Sequence, residues 1–141
     1  MDIFAKPNEA AVKQLLSESG LPIEDITAQH LQDFFGCGSG LELEGVVGLE
    51  LYGEVALLRS LAVASSRRSA GLGARLLAHA ECHAREQGVQ SLYLLTTTAE
   101  RFFLRRGYAQ TPREEAPAAI KTTREFSGIC PTSSAFMVKY L

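Results

Sequence analysis

The stretch from Leu57 to Leu77, LLRSLAVASSRRSAGLGARLL, constrains the fold more than any other part of this 141-residue chain. An apolar, strand-like run from Leu57 to Ala64 stops at a short polar turn. The turn passes through Arg68, Ser69, Ala70, Gly71, Leu72 and Gly73 into a segment whose apolar residues recur at helical spacing. In the first turn of such a helix the backbone N–H groups have no intrahelical partner and face outward with the positive end of the helix dipole, so an anion satisfies them directly. Gly71 and Gly73 lack a Cβ, which lets a bulky ligand approach the backbone, and Arg67 and Arg68 add positive charge beside them. The alternative is that the two glycines serve only close packing of helix on sheet. A P-loop is excluded because no Gly-Lys-Ser/Thr ending follows, and a dinucleotide loop because G-x-G-x-x-G with a later acidic residue is missing.

Around this centre the sequence reads as one α/β domain spanning residues 1–141, long enough to bury a core of its own. Ile3 to Ala5 is a short strand. Asn8 caps a helix on which Ala11, Val12, Leu15 and Leu16 share a face, and Gly20 and Pro22 end it. A second helix is expected from Thr27 to Phe35, broken by Gly36 to Gly40. Leu41–Glu44, Val46–Tyr52 and Glu54–Ala64 read as an antiparallel meander with turns at Gly45 and Gly53. A helix from Gly71 to Gln87, a strand from Ser91 to Thr96, a helix from Ala99 to Arg106, a return at Tyr108 to Gln110, a helical segment from Ala116 to Phe126 and a last strand from Ala135 to Tyr140 follow. The strand, helix, strand order around Gly71–Gln87 implies a parallel crossover. The expected architecture is a mixed central sheet of about seven strands flanked by about four helices.

A net charge of −2 argues against bulk binding to nucleic acid or to a membrane surface. Cys37, Cys82 and Cys130 are widely spaced, with no ligand cluster, so reduced thiols and no metal are expected. His79 and His83 stand four apart without a third ligand. The opening MDIFAKPNEA has neither a basic segment nor an apolar run suited to secretion, and no stretch approaches a membrane span. A cytoplasmic protein is expected.

The run Arg-x-x-Gly-x-Gly at Arg68, Gly71 and Gly73, preceded by Leu61-Ala62-Val63 and followed by Ala74-Arg75-Leu76-Leu77, resembles the acetyl-CoA signature of the GCN5-related N-acetyltransferase (GNAT) superfamily. A second block, TTTAERFFLRRGY from Thr96 to Tyr108, is similar to that family's Ala-x-x-Phe-aromatic segment closing on Gly-aromatic. Val47–Gly53, Leu57–Val63, Ala116–Lys121 and Cys130-Pro131 further resemble the small acetyltransferases of arsenic-resistance operons.

The resemblance implies a GNAT-like fold in which the meander leads into a parallel pair that splays apart, the strand ending at Val63 parting from its neighbour at Thr96. It implies acetyl-CoA as cosubstrate, held by the Leu61, Ala62 and Val63 backbone along the pantetheine arm and by N–H groups from Arg68 through Ala74, including Ser69, Ala70 and Leu72, at the pyrophosphate. Thr96, Phe102 and Phe103 complete that site. The Leu61 N–H becomes the donor that polarises the thioester carbonyl. Glu50, with Glu54 as an alternative, is the candidate base; both also fit as solvent-facing strand carboxylates. Phe103 departs from the family, many members having a tyrosine there that protonates the leaving thiolate. Thr97, Thr98 or Tyr108 are candidate substitutes, and unassisted departure is the other route, since a thiol of pKa about 8.5 is a tolerable leaving group.

Arg59 interrupts an apolar strand, and a buried charge requires a partner. With Ser60 it is a candidate to hold an anionic group of the acceptor; a structural ion pair with Glu50 is the alternative. Phe34 and Phe35 are candidate acceptor contacts or core aromatics. The expected function is acetylation of the amine of a small, anionic amino-acid-like molecule, for instance a toxic analogue containing arsenic or phosphorus. Acetylation of a protein N-terminus or lysine, and a catalytically silent acetyl-CoA-binding module, are the alternatives. A homodimer is compatible with the family, but nothing in the sequence locates an interface.

Overall fold

The structure is a computed structural model that describes residues 2–38, 42–68 and 71–141. Its strands are β1 (Ile3–Ala5), β2 (Phe34–Gly38), β3 (Leu43–Tyr52), β4 (Val55–Val63), β5 (Ser91–Thr96), β6 (Ala109–Gln110) and β7 (Ala135–Tyr140). They form one seven-stranded sheet in the order β1-β2-β3-β4-β5-β7-β6. All neighbours are antiparallel except β4 and β5, which run parallel and are joined through helix α2 (Leu72–Glu86). The expected architecture, an antiparallel meander leading into a parallel pair, is therefore present. Among the described residues no helix is long and apolar enough to cross a membrane.

Period-two alternation along the strands divides the core between the two faces of the sheet. On one face Phe35, Val47, Leu49, Ala56, Leu58, Leu92, Leu94 and Met137 pack against Leu72, Leu76, Leu77, Ala80 and Ala84 of α2. On the other, α1 (Glu9–Glu18) lays Ala11, Val12, Leu15 and Leu16 against Phe34, Val46 and Ala62. Ile120 of the short helix α4 (Ala118–Lys121) packs with Leu57, Tyr93, Phe136 and Val138. Asn8 caps α1 as expected, its Oδ1 accepting from the Ala11 N–H at 3.0 Å.

Four expectations are corrected. The segment Thr27–Phe35 is not a helix: a 3-10 turn at His30–Asp33 leads into β2, where Phe34 and Phe35 point to opposite faces as buried core aromatics, and neither lines the cavity described below. Gly45 is not a turn but a residue inside β3, opposite Cys37 and Val63, and Leu41 lies outside the described residues. Glycines in this sheet mark close packing: a Cβ on Gly45 would lie 2.7 Å from Leu76 Cδ1, and one on Gly48 2.3 Å from the Phe34 ring. Ala116–Phe126 is not one helix; α4 is followed by a π-helical turn, Glu125–Ile129. Finally, the Ala99–Arg106 helix is the single short α3 (Glu100–Leu104).

The fully buried Phe34 ring leaves Gly48 no room for a methyl group. Gly48→Ala is expected to destabilise the fold by about 1–3 kcal/mol through overpacking, read as a lower denaturant midpoint; an unchanged midpoint would contradict this packing.

Candidate active site

One extra residue in β4 creates the site. Gly48 pairs with Arg59 and Val46 with Ala62, so two residues, Ser60 and Leu61, stand opposite Val47 alone. This is a β-bulge, with Ser60 at φ 60°, the left-handed region that glycine occupies in one common bulge type and that other residues seldom adopt. The insertion reverses the strand's alternation. Ala56 and Leu58 face α2, and beyond the bulge it is Leu61 and Val63 that do so, while Ala62 faces α1.

Beyond Leu57 the sheet also opens. The parallel register runs only from Val55–Ser91 to Leu57–Tyr93, after which β4 and β5 have no paired residues. A cavity of about 820 Å³ fills the gap, with Ser60 to Val63 on the β4 side and Leu94 to Thr96 on the β5 side. Gly73, Phe102 and Phe103 line it too, as do Glu24, Glu125, Cys130 and Ser134.

The N-terminus of α2 abuts this cavity. Gly71 is the N-cap at φ +79°, with open space where a Cβ would project, and Arg75 N–H is bonded to its carbonyl. The glycine is therefore required by its dihedral and not by crowding. At Gly73 a Cβ would make ordinary contact, 3.5 Å from Phe102. Arg68 lines the cavity and donates from Nε to the Val63 carbonyl at 3.3 Å. Arg67 turns away to Glu44 at 2.7 Å. Leu72 is buried in the α2 core, and neither it nor Ala74 is among the residues lining the cavity. Ser69 and Ala70 lie outside the described residues.

Arg59 does not line the cavity. Its side chain is fully buried and all three nitrogens are engaged: Nε donates to Ser60 Oγ at 3.0 Å, Nη1 to Asp25 Oδ2 at 2.5 Å and Glu50 Oε2 at 2.8 Å, and Nη2 to Asp25 Oδ1 at 2.8 Å, with Glu125 Oε2 3.3 Å away. The alternative of an ion pair with Glu50 is thus realised, within a larger cluster. Asp25, His30 and Glu50 bring potential metal-ligand atoms within 4.8 Å of one another, but the cation between the two carboxylates is this guanidinium. Burial alone would raise the Asp25 carboxyl, yet the Arg59 bonds and charge outweigh it and hold the group below its ordinary value. Burial likewise disfavours the charged guanidinium, and its carboxylate partners more than reverse this, raising its pKa.

Glu50 is spent in the same cluster. One oxygen accepts from Arg59 and the other from the Tyr52 hydroxyl at 2.5 Å, and Glu50 does not line the cavity. Glu54 is exposed at the β3–β4 turn. The carboxylate that reasoning from sequence missed is Glu125, which lines the cavity while almost wholly buried. Burial, with Asp25 and Glu50 adding to it against Arg59, pushes this carboxyl up to about 7. Neighbouring Cys130 is pushed up to about 12 by burial and by Glu125, so it stays a thiol at neutral pH.

Toward α3, Thr96 Oγ1 accepts from the Ala99 N–H at 3.0 Å and closes the turn into the helix. Phe103 is buried edge-on to Phe102 and Tyr108, and Arg106 lies 3.8 Å over the Phe102 ring. Tyr108 does not substitute for a tyrosine at position 103. Its hydroxyl is buried and donates to Glu81 at 2.8 Å, burial and that carboxylate raise its pKa, and Lys139 holds the same carboxylate at 3.1 Å. Thr97 and Thr98 do line the cavity.

Removing Arg59 strands three buried carboxylates. Arg59→Met is expected to lose about 3–5 kcal/mol at pH 7 and less at pH 5. Without the cation the folded-state pKa values rise, so stability is present at low pH and lost as pH rises through them. Chemical denaturation at the two pH values checks this, and equal losses would contradict it.

A profile of the acetyltransferase (GNAT) domain matches residues 30–110. An uncharacterized N-acetyltransferase of Chlorobaculum tepidum is 33% identical over 93 residues, covering 65% of this chain and 59% of its own. An amino-acid acetyltransferase of Ralstonia nicotianae is 36% identical over 91 residues, 63% of this chain and 18% of that protein. The chain thus spans less than two thirds of the length of either relative. In fold it is similar to the N-acetylglutamate synthase of Neisseria gonorrhoeae complexed with coenzyme A and N-acetyl-glutamate, with a TM-score of 0.81 and 24% identity over 99% of this chain and 35% of that one. With the splayed pair, the bulge and the glycine-capped helix in place, the family match makes the chain a member of the GNAT acetyltransferase family.

Proposed function

We infer that the protein transfers an acetyl group from acetyl-CoA to the amine of a small, amino-acid-like molecule. The observation that carries this reading is the splayed end of β4: an unpaired backbone edge at Ser60 to Val63 running toward the open, glycine-capped N-terminus of α2. An amide-bearing arm adds to a free strand edge by backbone hydrogen bonds, and a pyrophosphate fits the unpartnered N–H groups of a helix start. Arg68, the one cation among the described residues lining the cavity, stands at the helix end and suits the phosphates. The Leu61 N–H, at the bulge, is the donor for the thioester oxygen.

For the acceptor, the support is that relatives are amino-acid acetyltransferases and that the gonococcal synthase holds N-acetyl-glutamate. The narrower idea of an arsenic- or phosphorus-containing analogue rests on the resemblance of the β3–β4 and C-terminal segments to arsenic-resistance acetyltransferases. With Arg59 occupied, the anionic group of such a molecule has no cation from that residue. The silent acetyl-CoA-binding module is the second reading, favoured by Phe103 and by the Tyr108 hydroxyl turned toward Glu81. Against it, a thiolate of pKa about 8.5 departs without a strong acid.

Calorimetric titration with acetyl-CoA tests the cosubstrate, and thiol release with a panel of amino acids and analogues tests catalysis. Micromolar binding is expected. Gly71→Glu, which forces a side chain into a left-handed backbone at φ +79° and a carboxylate against the phosphates, is expected to weaken it at least about tenfold. Binding without thiol release from any amine favours the silent module, and no binding contradicts both readings.

A further inference from the structure

We propose that Glu125, a residue of the C-terminal π-helical turn, is the catalytic residue that receives the acceptor's ammonium group and removes its proton, with Ser134 Oγ as its second polar contact. This rests on the acetyltransferase reading above. It moves the base from the meander strands to a segment beyond the matched domain region, which ends at residue 110.

Three observations carry it. First, the described carboxylates lining the cavity are Glu24 and Glu125, and Glu24 is exposed to water, whereas the Glu125 side chain is 5% exposed. Secondly, the Arg59 cluster is unevenly bonded. Asp25 holds the guanidinium through two short bonds and Glu50 through one at 2.8 Å, while Glu125 has a single contact at 3.3 Å. Three carboxylates around one guanidinium leave the cluster short of positive charge, and Glu125 is the member that both faces the cavity and is least engaged. An incoming ammonium supplies that charge. Thirdly, Ser134 lines the same cavity, is 6% exposed, and its Oγ has no hydrogen-bond partner among the described residues. A buried hydroxyl left without a partner is costly unless a ligand satisfies it.

The chemistry balances. The ammonium N–H gives its proton to a Glu125 carboxylate oxygen, freeing the nitrogen lone pair. That lone pair forms the N–C bond to the thioester carbonyl, whose C–S bond then breaks. The second amine proton goes to the departing sulfur, giving amide and free thiol, and Glu125 returns its proton to solvent. The groups facing Glu125 are Arg59, Asp25, Glu50 and Cys130. Their balance with burial gives a carboxyl near 7, the range in which a general base is half-ready at neutral pH.

The test uses the intact chain with an acceptor that the wild type acetylates. Glu125→Gln is expected to lower kcat/KM by about 10²-fold or more, to abolish the inflection near pH 7 in the kcat/KM profile, and to leave acetyl-CoA affinity within about twofold. Glu125→Asp is expected to keep a shifted inflection at an intermediate rate. Ser134→Ala is expected to raise the acceptor KM more than it lowers kcat. Independently of turnover, the Glu125 side-chain carboxyl in the free wild-type protein is expected to titrate near 7 by 13C NMR. A Glu125→Gln variant with wild-type rate and pH profile, or a Glu125 carboxyl ionised throughout pH 5 to 9, overturns the proposal while the acetyltransferase reading stands. Absence of thiol release from wild type with any amine overturns both.

Discussion

The guanidinium of Arg59 is the point on which the acceptor half of the structure depends. It ties two stretches outside the sheet, the irregular segment holding Asp25 and the π-helical turn holding Glu125, to the paired strands β3, through Glu50, and β4, its own strand. A buried charge of this kind contributes little net stability, since desolvation offsets much of the Coulombic gain. Its effect is on position. With every nitrogen engaged, the guanidinium fixes where Glu125 stands relative to the bulge, and the Ser60 hydroxyl, bonded to Arg59 Nε, ties the strained residue into the same cluster.

The bulge then acts on the sheet. One inserted residue turns Leu61 and Val63 toward α2 and leaves Ser60 and Leu61 without partners in β3, just where β5 parts from β4. An open edge inside a sheet is a liability unless something covers it. Here it lies against the start of α2, so one gap offers strand-edge amides at one place and helix-start amides at the next. The two halves of the site meet where the bulge in β4 and the parting of β5 from β4 lie side by side.

Much of this was legible in the sequence. The Leu57–Leu77 pattern located the strand, turn and helix because periodicity and the glycine pair are local signals. The hairpin at Gly53 and the last strand followed from the same kind of signal. Where the reading failed, a nonlocal cause is visible. Phe34 and Phe35 looked helical beside Leu31, but pairing with β1 and β3 made them strand residues. Gly45 looked like a turn, but its missing side chain serves Leu76 of α2. Arg59 announced itself as a buried charge needing a partner, yet nothing in the sequence pointed to Asp25 or Glu125, which lie far along the chain in irregular or mixed segments. The bulge left a faint mark: along Leu58-Arg59-Ser60-Leu61 the apolar residues on one face are three apart rather than two.

The central claim is that acetyl-CoA lies along the open edge of β4 and ends at the start of α2. Backbone amide NMR of the chain titrated with acetyl-CoA tests it most directly. The account predicts that the Leu61, Val63, Leu72, Gly73 and Ala74 amides shift strongly and gain protection from exchange, while those of α1 and β1 barely move. Shifts centred instead on the groove lined by Phe4, Gln14 and Glu42, beside α1, with β4 unperturbed, would contradict it.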